Sequence, residues 1–141
     1  MGTQDNEVMI LLYGRVPGGP GGRLQTAVED LVRPHDLAVV HSTRMLDEHL
    51  RHACDAPCLA VFVTERRDEL RELLSLSDLL EDVPVFLVVP DRSEETLQLA
   101  HRFHPRYIIT PDEDASEFAA VLRKKIGAMQ SSQQDFHGRP E

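Results

Sequence analysis

Three carboxylates, Glu65, Asp91 and Asp112, each stand just beyond the end of a short apolar run. Clustered carboxylate oxygens suit a hard divalent cation. The competing reading makes them loop acids near helix starts, where negative charge complements the helix dipole, and it is the one preferred. A second candidate is the segment Val16-Pro17-Gly18-Gly19-Pro20-Gly21-Gly22-Arg23. A Gly-rich loop opening a helix can cradle an anion with its backbone N–H groups. This one lacks the Lys-Ser/Thr pair of a P-loop and the spacing of a dinucleotide fingerprint. Its two prolines also remove donors, so it reads better as a flexible insertion. A third cluster is His49, His52, Cys54 and Cys58. Imidazole and thiolate suit zinc. Cys58, however, opens an apolar run, and His49 falls on the apolar stripe of a helix pattern, so a packed histidine and a buried thiol explain the group. No Ser-His-Asp order or activated-cysteine context is present. No catalytic group, metal or cofactor is therefore expected.

The elements that must position these residues alternate between two patterns. Short apolar runs at Val8–Tyr13, Leu37–His41, Cys58–Val63, Pro84–Val89 and Tyr107–Ile109 predict strands. They are apolar on both faces, as buried parallel strands are. Between them lie helix spacings. Leu24, Ala27, Val28, Leu31 and Val32 form the first stripe, stopped by Pro34. Leu46, His49, Leu50 and Ala53 form the second, and Leu70, Leu73, Leu74, Leu79 and Leu80 the third. Leu97, Ala100, His101 and His104 form the fourth, with Leu99 and Phe103 widening its face, and Phe118, Val121, Leu122 and Ile126 the fifth. Asp114 and Glu117 have the spacing of a capping box at its start. Five βα units with right-handed crossovers give an α/β fold, a doubly wound parallel five-stranded sheet of flavodoxin-like order 2-1-3-4-5 with helices on both faces.

The chain of 141 residues suits one domain, predicted over 1–127, followed by a polar flexible tail at 128–141. Fifteen basic against 24 acidic residues leave a net charge of −9. That balance argues against nucleic acid and anionic membranes as partners. No apolar run reaches the length of a membrane span, and MGTQDNE has neither the basic start nor the apolar core of a signal peptide. A cytoplasmic location is the expectation. Two cysteines are too few for a disulfide scaffold.

The fourth unit, VPVFLVVPDRSEETLQLAHRFHPRYIITPDED, runs from a "VPV" strand through a helix to a short strand ending Tyr107-Ile108-Ile109-Thr110-Pro111. In that rhythm the chain resembles the receiver domains of bacterial response regulators, across about 120 residues from position 7 to 126. The resemblance implies a phosphorylation site of acids after strand one, an Asp at the end of strand three, a Ser or Thr after strand four and a Lys in strand five. Here strand one runs into Leu12-Tyr13-Gly14-Arg15, with no acid. Val63 or Thr64 takes the phosphoacceptor position, Val88 or Val89 the Ser/Thr position, and Thr110 the Lys position. The carboxylate nucleophile, the metal ligands and the phosphate-holding cation are all replaced. The expectation is a pseudo-receiver.

Leu70, Leu73, Leu74, Leu76, Leu79 and Leu80 cover more than one helix face. Either some pair with another chain or the segment is simply well buried. The resemblance implies a protein partner, or a homodimer, through the fourth and fifth βα units. The expected function is thus a phosphorylation-independent interaction module in two-component signalling. The alternative is a small-molecule, nucleotide or divalent-cation binder built on the Gly-rich loop and the strand-end acids. Universal-stress-type nucleotide binders, which share this architecture, carry a late Gly-rich signature. The segment Thr110–Phe118 contains no glycine.

Overall fold

The computed structural model describes residues 9–14, 26, 29–30, 37–52, 58–81, 83–110, 113 and 115–138, and at 52, 58, 115 and 130–138 it describes the backbone. The five apolar runs form β1 (Met9–Gly14), β2 (Leu37–Val40), β3 (Cys58–Val63), β4 (Val85–Val88) and β5 (Tyr107–Ile109). All neighbours pair in parallel, in the order β2-β1-β3-β4-β5. Gly14 lies beside Val63, Val63 beside Val88 and Val88 beside Ile109, so the C-terminal strand ends line one edge. This is the flavodoxin-like doubly wound topology.

Successive side chains in a strand point to opposite faces, and this sheet buries both. Leu11, Tyr13, Ala60, Phe62, Val85 and Leu87 face one cluster, and Ile10, Leu12, Leu59, Val61, Phe86 and Val88 the other. The first face is covered by α1 (Thr43–His52), α2 (Arg67–Leu74), a 3-10 turn at Ser77–Leu80 and α3 (Glu94–His101). Their contributions include Leu46, Leu70, Leu73, Leu80 and Ala100. The second face receives Phe118 and Leu122 from α4 (Ala115–Gly138). Each fully buried Leu or Phe contributes roughly 1.5–3 kcal/mol. Edge-to-face ring pairs fix the packing on each side, Tyr13–Phe62–Phe103 on one and Phe86–Phe118 on the other. The leucine-rich connection is largely inward: Leu70, Leu73 and Leu80 are buried, and Leu74 and Leu76 pack against the same cluster.

Three local expectations are corrected. The fifth helix pattern, expected to stop at Gly127, continues as helix as far as Gly138. Its apolar stripe continues one turn further than the sequence suggested, through Leu122, Ile126 and Met129, the last two half-buried against the core. Gly127 points into open solvent and is tolerated there, at a cost near 1 kcal/mol. In α3 the buried positions are Thr96 and Ala100, with Phe103 following, while His101 and His104 are exposed. The helix ends at His101 because the chain turns into a left-handed conformation at His104, with φ of 52°. Finally, His49 is exposed on α1, and Leu46 and Leu50 carry the inward stripe. The first helix pattern, apart from helical positions 26, 29 and 30, lies outside the described residues. So do Ala53, Asp114 and the Gly-rich loop.

Candidate functional site

In an open parallel sheet, ligands bind in the crevice at the C-terminal strand ends. At the end of β3, Val63 is 3% exposed and packs into the α4-side core with Val61 and Val88. Thr64 is fully buried. Its backbone N–H donates to the Val88 carbonyl at 2.9 Å, and its hydroxyl donates to the same oxygen at 2.7 Å. The hydroxyl proton is thereby committed to the neighbouring strand. At the end of β1 the Gly14 carbonyl accepts from Nδ1 of His41 at 2.9 Å. Backbone and imidazole occupy this edge, with no carboxylate on β1.

The β5 end is closed by a network that the sequence did not reveal. Thr110 donates its N–H (3.2 Å) and its hydroxyl (2.9 Å) to Oε2 of Glu113. Arg92, from the β4–α3 loop, donates to that same oxygen through Nε at 2.9 Å and Nη2 at 2.6 Å. Nη2 also approaches the Ile108 carbonyl at 3.3 Å. These donors, Arg92 foremost and then Thr110, hold the Glu113 carboxyl below the usual range. The cation therefore reaches the edge from a loop, already paired with an acid.

Of the three strand-end acids, two share a crevice. Glu65 and Asp91 line a cleft of about 470 Å³ together with Arg66, Arg67 and Arg71. Asp91 is exposed and turns back on its own loop, accepting from the Ser93 N–H at 2.9 Å. Hydrogen bonds from Ser93, with help from Thr96 and Arg67, lower its pKa to about 2. The Glu65 N–H donates to Oε1 of Glu69 at 2.6 Å, and that of Arg66 to the same oxygen at 3.2 Å. Glu69 is thus a buried carboxylate that caps the start of α2 from inside. Arg67 pairs with Glu95, and Arg71 with Asp68 at 3.1 Å. Asp112 and Cys54 lie outside the described residues, as do the side chains of His52 and Cys58. Among the described residues no group of three His, Cys, Asp or Glu side chains is placed to hold a metal ion. No helix of the described residues is long and apolar enough to cross a membrane.

No family model matches the chain, and no curated protein matches it significantly. Among solved structures, a protein from Burkholderia pseudomallei K96243, provisionally described as pilus assembly-related, superposes with a TM-score of 0.63. The match covers 92% of this chain and 95% of that one at 18% sequence identity. At that identity the likeness establishes the shared fold alone. The class defined so far is a doubly wound α/β domain of flavodoxin-like order, whose strand-end crevice is lined by hydrogen-bonded threonines and paired arginines.

Proposed function

We propose that this chain is a receiver-like domain that works without aspartyl phosphorylation and acts by presenting a protein-interaction surface. The observation that carries the reading is Thr64. At the position where a receiver holds its phosphoacceptor, this chain buries a hydroxyl already donating to the Val88 carbonyl. A carboxylate nucleophile requires exposure and metal ligands beside it, and Val63 and Thr64 offer neither. Thr110, in the Lys position, is tied to Glu113. No catalytic residue belongs to this reading, and its partner is a protein rather than nucleic acid or membrane. The surface we assign to that partner, or to a second copy of the chain, is formed by β4, α3, β5 and α4. The pilus-assembly description of the Burkholderia neighbour directs the partner search toward the protein components of such an assembly.

The test is an NMR titration with Mg²⁺ and beryllofluoride, followed by sedimentation analysis. Unmoved amides around Thr64, Asp91 and Thr110 are expected, together with a self-associated species or a complex with an assembly component. Saturable shifts at those residues would overturn the reading in favour of a cation site built on Glu65 and Asp91.

A further inference from the structure

The opposite edge of the sheet carries a second cleft, of about 570 Å³, between the segment that enters β4 and the turn that enters β5. Its apolar wall includes Leu80 and Phe103, both more than nine-tenths buried. Its polar rim is formed by Arg102, His104 and Arg106, with Glu81 the one acid among the described residues that line it. That volume falls within the range of small-molecule sites.

Two further observations set this cleft apart. The arginines of the strand-end crevice and its neighbouring loop are matched: Arg67 with Glu95, Arg71 with Asp68, and Arg92 with Glu113. Among the described residues, no side-chain hydrogen bond or ion pair engages Arg102, His104 or Arg106. Guanidinium donors in a fork match carboxylate or phosphate oxygens. In a chain of net charge −9, two arginines and a histidine stand around one apolar wall, against a single acid among the described lining residues. The second observation is His104 itself. It adopts φ of 52° just past the C-terminus of α3, a conformation that glycine takes without strain. The chain places an imidazole there, on the rim of the cleft.

The geometry points to an anion site in this cleft for a small organic molecule that combines a carboxylate or phosphate group with an apolar body. Arg102 and Arg106 hold the oxyanion. His104 adds a donor, and Leu80 and Phe103 cover the body. The site lies at the N-terminal edge of β4 and β5, away from Thr64 and Thr110, and does not depend on how the strand-end crevice is read.

The test uses the whole chain, labelled with ¹⁵N, titrated at constant ionic strength with inorganic phosphate and separately with phenyl phosphate. Saturable shifts are expected at 77–81 and 102–106 with both probes, and phenyl phosphate binds about tenfold more tightly because its ring leaves water against Leu80 and Phe103. The double variant R102Q/R106Q loses affinity by about tenfold or more while its circular dichroism is unchanged. Glu81→Gln, which removes the competing acid, binds more tightly. His104→Gly melts at a higher temperature yet binds more weakly. Shifts that never saturate, that appear at 65–71 instead, or that survive R102Q/R106Q overturn the proposal.

Discussion

Thr64 and Val88 are joined twice through one atom: the backbone N–H and the hydroxyl of Thr64 both donate to the Val88 carbonyl, at 2.9 and 2.7 Å. The bond pattern of a parallel ladder is thus extended by a side chain at the very point where β3 leaves the sheet. Because Thr64 is fully buried, water cannot replace either donor.

Thr64→Val keeps the shape and the N–H bond but loses the hydroxyl donor, and is expected to cost about 1 kcal/mol. Thr64→Asp places an unpaired carboxylate in the same buried position and should cost about 3 kcal/mol or more. Urea denaturation measures both. The aspartate variant should still give no response to beryllofluoride, since no metal ligand stands on β1.

Glu69→Ala removes the buried acceptor of the Glu65 and Arg66 N–H groups. A loss of about 1–2 kcal/mol is expected. Glu69→Gln retains an acceptor oxygen and should cost less. If the two variants are equally destabilised, the carboxylate charge matters more than the cap.

The acid limb of stability should carry the signature of Asp91. Its pKa falls from 3.8 to about 2 on folding, chiefly through the hydrogen bonds of Ser93. A depressed folded pKa contributes stability above the unfolded value, and that contribution fades as pH falls from 3.8 to about 2. Glu113, lowered chiefly by Arg92, acts in the same direction. Asp91→Asn should flatten the decline of melting temperature with acidification across that window. An unchanged slope would show that Asp91 is hydrogen-bonded to a similar extent in the unfolded chain.

Gly127→Ala should stabilise the protein by about 1 kcal/mol. The position is helical and exposed, and an added Cβ meets nothing within 4 Å. Increased ellipticity at 222 nm with a higher melting temperature is the expected result. Destabilisation would mean that α4 bends or packs at this point.

The sheet was legible because its strands are short and apolar on both faces, as in parallel sheets covered by helices, and five βα units suit the open doubly wound order. The absence of a carboxylate from the end of β3 was legible for the same reason, since position follows from strand register. What the sequence hid was pairing at a distance. Arg92 and Glu113 are 21 residues apart and meet only once β4 and β5 are side by side. Glu69 was hidden because the N-cap of α2 is Arg66, whereas capping boxes are recognised from Ser, Thr, Asp or Asn at that position. In the α3 stripe Ala100 and Phe103 are buried as expected, whereas His101 and His104, which share helical spacing with Leu97, are exposed and Thr96 takes the inward position. The helix beyond Gly127 was missed because a glycine followed by polar residues resembles an end, and Met129 alone carried the contrary signal.

One oxygen of Glu113 receives Arg92 twice and Thr110 twice. Mechanically, it is a pin through two plates. With Arg92 and Glu113 both partly open to solvent, the pin is a light one, worth about 1 kcal/mol, and it ties Arg92 to Thr110 for as long as it holds. Its four donors share one acceptor atom, so losing that carboxylate would remove all four bonds together.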